Sequence, residues 1–220
     1  MTRSQTFQHI SAFDLDRTLF IQNSAFSFGQ YLYRQKHFST PRFVGMLLAY
    51  VLHAMGFISI HKIHEIAFWL LFSRKNESQV KQLVEEFLAG DFAAKLYAPA
   101  IQKLREAQAA GHLTIILSSS PDFIVAAIAK RLGVSLWQAT KYALDREACF
   151  CHIQYVLDGA GKAVILEQLS QRCALTRSDI TAYSDSVLDL PFLLTAGTAV
   201  GVNPDRKLRE ISKQRRWQII

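Results

Sequence analysis

The chain has 220 residues, of which half are hydrophobic and a fifth charged, a globular composition that excludes a disordered or low-complexity protein. That length suits one large domain or a domain carrying an insertion. The formal net charge is +7, part of it in a late run of Arg206, Lys207, Arg209, Lys213, Arg215 and Arg216; a helix would spread these over a solvated face, and with no nucleic-acid-binding module beside them no nucleic-acid partner is expected.

Met1–Thr6 lacks the apolar run of a leader, so a cytoplasmic protein is expected. The apolar run His9–Phe13 reads as a buried strand that delivers Asp14 and Asp16 at its carboxyl end. Residues two apart in an extended chain point to the same side. Two carboxylates so placed raise each other's pKa unless a cation holds them, which points to a metal, Mg²⁺ where all ligands are oxygen. Asp-x-Asp alone also suits a plain turn.

The pattern then turns helical. Phe26, Phe28, Tyr31 and Leu32 give one apolar face, and Thr40-Pro41 reads as an N-cap with proline at the first helical position. Phe43–Ile60 is almost wholly apolar, at the threshold of a membrane span. Gly56–Ser59 is a turn candidate, and Ile63, Ile66, Ala67, Leu70 and Leu71 continue on one side of a second helix. The expectation is two buried helices of a small bundle, with contact between this apolar insert and a membrane surface left open. Glu77–Leu88 is amphipathic and ends at Gly90.

From Leu96 helix and strand alternate. Pro99–Ala110 is a helix, Leu113–Leu117 a buried strand, Ser118-Ser119-Ser120-Pro121 a turn, and Asp122–Leu132 a helix. Leu136–Leu144 and Phe150–Val156 are weaker strands. Cys149-Phe150-Cys151-His152 has no second pair at zinc spacing, and the third cysteine, Cys173, stands alone, so reduced thiols and no zinc site are expected. Gly161–Arg172 is helical, Ile180–Tyr183 a strand, Val187–Leu194 a helix, Thr198–Val202 a strand, and Asn203-Pro204 caps a last helix to about Arg215.

This alternation predicts an α/β fold, a doubly wound parallel, Rossmann-like sheet with an inserted all-helical cap. The expected division is core over 1–22, cap over 23–96 and core again over 97–220. Ligands in such sheets bind beyond the carboxyl ends of the strands, where Asp14, Asp16, Ser118 and Asp185 would all lie. The serine cluster outlines a phosphate cradle. Lys162, near a helix start, opposes the dipole and so calls for a phosphate or carboxylate partner. Asp189 lies one turn beyond Asp185.

Taken in order, Phe-Asp-Leu-Asp-x-Thr-Leu at 13–19, Leu-Ser-x-Ser-Pro at 117–121, Gly-Lys at 161–162 and Tyr-Ser-Asp-Ser-x-x-Asp at 183–189 resemble the four motifs of the haloacid dehalogenase superfamily. The cap between the first and second motifs resembles its phosphoserine-phosphatase-like subfamily, and the closing Val-Asn-Pro-Asp-x-x-Leu is similar to bacterial members. The resemblance implies a phosphatase with Asp14 as nucleophile and Asp16 as general acid and base. It also implies Ser118, Ser119 and Lys162 on the phosphoryl oxygens, and Mg²⁺ on Asp14, the Asp16 carbonyl and Asp185, with Thr18 and Asp189 in support. Phosphoserine phosphatases have a glutamate shortly after the first motif; Ile21-Gln22-Asn23-Ser24 has no acid. Leu188 stands where many relatives have Asn. Specificity is expected from Arg17, Asn23, Ser24 and Phe28.

The expected activity is hydrolysis of a small-metabolite phosphate monoester. The alternatives are a lipid-phosphate phosphatase at a membrane surface, since some relatives act on phosphatidylglycerophosphate, and a non-catalytic basic binding module. Oligomeric state is not legible.

Overall fold

The computed structural model describes residues 7–220; the leader reading at Met1–Thr6 lies outside them. The strands are β1 (Ile10–Phe13), β2 (Leu113–Pro121), β3 (Leu136–Leu144), β4 (Phe150–Tyr155), β5 (Ile180–Ser184), β6 (Thr198–Gly201) and β7 (Gln218–Ile219). They form one sheet in the order β4-β3-β2-β1-β5-β6-β7. All neighbours are parallel except β3 and β4, which form an antiparallel edge.

β1 lies between β2 and β5, so the chain fills one side of the sheet and then crosses to the other. That reversal opens a crevice at the carboxyl ends of β1, β2 and β5. Successive side chains of a strand face opposite sides. Ile116 therefore joins one core, under α5 (Ala98–Ala109) and α6 (Asp122–Arg131). Ile115 and Leu117 join the other, under α7 (Gly159–Arg172), α8 (Leu190–Thr195) and α9 (Arg206–Arg215).

Between β1 and α5 the chain is helical: α1 (Ser24–Arg34), α2 (Thr40–Ala54), α3 (Ile60–Ala67), a π-helical turn at Phe68–Phe72 and α4 (Glu77–Ala89). Side chains cap three of these helices: Asn23 accepts from Phe26 N at 2.8 Å, Ser59 from Lys62 N at 3.2 Å and Asn76 from Ser78 N at 3.0 Å. Ser39, not Thr40, takes the N-cap position of α2, with Pro41 inside the first turn. The helix expected over Val187–Leu194 is a 3₁₀ turn, Val187–Asp189, followed by α8.

The insert shares its interior with the sheet. Phe72 meets Phe123 edge-on at 5.2 Å and Phe68 meets Tyr142 at 5.1 Å. Arg74 N donates to Phe150 O and Phe150 N to Lys75 O, so backbone hydrogen bonds also tie the insert to β4.

The expectation that the most apolar helix is largely buried does not hold. In α2 only Met46 and Ala49 are buried, whereas Val44, Leu47, Leu48 and Val51 face outward. The apolar run is also not one helix, because it breaks after Ala54 and resumes at Ile60. No described helix is long and apolar enough to cross a membrane.

His64 on α3 is buried, and burial, followed by the nearby His53 and His61, pulls its pKa down to about 4. The folded state holds it neutral, while the unfolded chain binds a proton below its ordinary value near 6.5. Stability contributed above that value is therefore lost as pH falls from about 6.5 toward 4, by about 2 kcal/mol at pH 5. Melting curves at pH 7.5 and 5 should show a smaller acid-induced loss in His64→Leu than in the unaltered protein. Equal losses would exclude His64 as the source.

Candidate active site

Asp14 follows β1 directly, and its N–H donates to Tyr183 O at 2.9 Å, which extends the β1–β5 pairing one residue beyond Phe13. The residue is 4 % exposed. Lys162 Nζ donates to Asp14 Oδ1 at 2.6 Å and to Asp189 Oδ2 at 2.8 Å. These carboxylates are the partners that the lysine's place on α7 calls for. Close packing makes the bridge reachable: a Cβ on Gly159 would collide with Leu188 O, so only glycine lets α7 start against the loop after β5. Ser184 Oγ also donates to Asp189, at 2.7 Å.

Asp16 sits where core and insert meet. Its Oδ1 accepts from Ser24 N at 2.7 Å, and its Oδ2 from Ser120 Oγ at 2.6 Å and Asn23 Nδ2 at 3.3 Å. Asn23 and Ser24 thus hold Asp16 and start α1 together. Ser120 was not singled out in the sequence, although it belongs to the serine cluster that was.

The serines are not in a simple turn. β2 continues through them to Pro121, with a register shift against β3 between Ser118 and Pro121. Bulges of this kind re-aim side chains beside active sites. Ser118 is buried, and its Oγ accepts from Ser120 N at 3.1 Å. Ser119 is half-buried, and its carbonyl accepts from the Thr140 hydroxyl at 2.6 Å. Thr18 is fully buried with no protein partner for its hydroxyl, an orphan of the kind that a bound group or water satisfies.

Arg17 adopts a left-handed backbone, φ 59°, and donates to the Tyr50 hydroxyl at 2.7 Å, linking the loop after β1 to α2. Phe28 does not face the crevice. It packs between Phe72 and Phe87 inside the insert, because its helical spacing puts it on α1's buried face.

Asp185 follows β5 and is 8 % exposed. Its carbonyl accepts from Asp205 N at 2.7 Å, while the Asp205 carboxylate accepts from Val187 N at 2.8 Å and caps α9 through Leu208 N. The closing Val-Asn-Pro-Asp segment thereby braces the Asp185 loop.

Charge does not balance here. Asp14, Asp185 and Asp189 are buried with one buried cation, Lys162. Burial raises Asp14 to about 7, with Lys162 opposing, and burial followed by repulsion from Asp14 and Asp189 raises Asp185 to about 8. Burial lowers the Lys162 pKa, but the two carboxylates more than offset this and the net direction is up. Among the described residues no group of three or more His, Cys, Asp or Glu side chains forms a metal site by itself. Two carboxylates and a carbonyl nevertheless fit Mg²⁺, which keeps several waters and takes its remaining oxygens from a phosphate.

A cavity of about 710 Å³, part of it open to solvent, adjoins Ser119 and Ser120. Asn23, Phe26, Tyr50, His53, His64 and Leu71 are among its walls, and no Asp or Glu lines it.

The haloacid dehalogenase-like hydrolase family model matches residues 12–194. A phosphoserine phosphatase of Mycobacterium tuberculosis is 29 % identical over 215 residues, covering 94 % of this chain and 68 % of its own. A Bordetella pertussis Tohama I protein of unknown function superposes with a TM-score of 0.84 at 26 % identity, covering 98 % of this chain and 99 % of its own. A phosphoserine phosphatase in a phospho-aspartyl intermediate analogue form shares the fold, with a TM-score of 0.69 at 16 % identity over 97 % of this chain and 92 % of its own. The chain belongs to the haloacid dehalogenase-like hydrolases.

Proposed function

We propose that the protein is a Mg²⁺-dependent cytoplasmic phosphomonoesterase that works through an aspartyl-phosphate on Asp14. The observation that carries the reading is the buried Asp14 carboxylate at the end of the central strand, held by Lys162 at 2.6 Å. Asp14 attacks phosphorus, the bond to the ester oxygen breaks, and protonated Asp16 gives that oxygen its proton. Asp16 then takes a proton from water, whose oxygen attacks the phosphorus; the bond to Asp14 breaks and inorganic phosphate leaves. Ser118, Ser119 and Lys162 hold the phosphoryl oxygens, where fixed charge stabilises the transition state. Mg²⁺ on Asp14, Asp185 and the Asp16 carbonyl would neutralise charge on the phosphate and allow a carboxylate to approach it.

Residues 23–96 are the cap that excludes water over the site. The relatives' name suggests phosphoserine, but the cavity offers no carboxylate for its ammonium group. An unpaired buried charge is expensive, so the substrate is a phosphate ester with an uncharged body. The mainly apolar walls also favour a second reading, a lipid phosphate.

Released phosphate should be measured with Mg²⁺ on phosphoserine, glycerol phosphate, nitrophenyl phosphate and a lysophosphatidate. The kcat/KM for phosphoserine should be about tenfold or more below that of the best amine-free ester, the scale set by an unpaired polar group in a pocket. Preference for phosphoserine would overturn the substrate reading, and no hydrolysis of any ester would overturn the function.

A further inference from the structure

Helix α2 has two apolar faces. Met46, Ala49, Tyr50 and His53 recur at helical spacing and line the cavity. The opposite side presents Val44, Leu47, Leu48 and Val51, and the next turn adds Met55 and Phe57, which is 70 % exposed. A helix apolar all round is normally buried. Scattered exposed apolar residues are ordinary, but a continuous row marks an interaction site.

The local charge says what would cover it. From Arg17 to His64 the sequence has no Asp or Glu, yet it holds Arg17, Arg34, Lys36, Arg42 and Lys62, all exposed. The first acid beyond, Glu65, pairs with Lys62 at 2.8 Å. A second copy docked through the same face would bring these cations against one another, because a two-fold interface matches a patch with itself. An anionic surface complements them. The 15 residues of α2 extend about 22 Å, short of the roughly 30 Å hydrocarbon core, so the helix can lie on a bilayer but not cross one.

We infer that the outer face of α2 and the turn through Phe57 form a docking surface for an anionic lipid bilayer. The apolar side chains enter the headgroup boundary, and the surplus of exposed cations in the flanking chain, Arg34 and Lys36 among them, adds attraction to lipid charge. The inward face of the same helix still walls the cavity, so docking brings that cavity close to the lipid surface. This inference rests on the exposed face and its charge, and it holds whether or not the proposed ester chemistry does.

Flotation tests it, using phosphatidylcholine vesicles with and without phosphatidylglycerol, at low and high salt. The unaltered protein should float with the phosphatidylglycerol vesicles at low salt and much less in the other conditions. Leu48→Glu combined with Phe57→Glu should lower the bound fraction about tenfold or more while leaving nitrophenyl phosphate hydrolysis without vesicles unchanged. Asp14→Asn should float like the unaltered protein, which separates docking from catalysis. A folded Phe57→Ser protein, altered only in the exposed turn, serves if the double variant does not fold. Failure of the unaltered protein to float, equal flotation of the folded variant, or a concentration-dependent dimer that the variant loses in place of flotation would each overturn the inference.

Discussion

Asp14→Asn should lower turnover by about three orders of magnitude or more, the scale of losing an essential nucleophile. The amide is close to the carboxylate in shape, and its oxygen can still accept from Lys162, which sits 2.6 Å from Oδ1. What disappears is the charge and electron pair that attack phosphorus. The fold should survive, because the Asp14 backbone contact to Tyr183 does not involve the side chain. Removing one of three buried carboxylates also relieves repulsion within the site. Steady-state kinetics beside a melting curve check both halves. A well-folded variant with near-normal kcat would remove Asp14 from the nucleophile role.

The residues of the Asp14–Lys162–Asp189 bridge were legible because each stands in a short segment whose local form is fixed: strand end, helix start, and the turn that opens the next helix. The sheet follows from the same alternation. Less legible were groups whose meaning depends on partners far along the chain. Ser120 reaches Asp16 across 104 residues, and Thr140 supports the β2 bulge through the Ser119 carbonyl. Asp205 holds the loop after β5, yet from sequence its segment reads only as a helix start.

Two misreadings share a physical origin. Periodicity shows which face of a helix is apolar, but in α2 apolar residues occupy both faces, so the pattern could not tell inside from outside. Phe28 failed in the opposite way: proximity to the first motif suggested substrate contact, but its spacing on α1 assigns it to the interior. The two-residue strand β7 is too short to carry a period at all.

Asp185→Ala should abolish Mg²⁺-dependent activity and, without metal, should not destabilise the protein. In the metal-free state Asp185 is a liability: burial and then Asp14 and Asp189 raise its pKa to about 8. A carboxyl raised in the folded state supports folding only below its ordinary value near 4. That support is lost as pH rises from there to about 8, because the unfolded chain ionises freely and the folded one does not. Removing the group near pH 7.5 therefore lifts a penalty, and the metal-free variant should melt at or above the unaltered protein. Adding Mg²⁺ reverses the order. Binding to the folded state alone stabilises by mass action, so millimolar Mg²⁺ should raise the melting temperature of the unaltered protein. It should barely move that of Asp185→Ala, which has lost one of the few protein oxygens available to a hard cation. Chelator-treated enzyme should be inactive and recover with Mg²⁺. Full activity after chelation, or an equal Mg²⁺-induced melting shift in both proteins, would rule out Asp185 as a ligand of a catalytic metal.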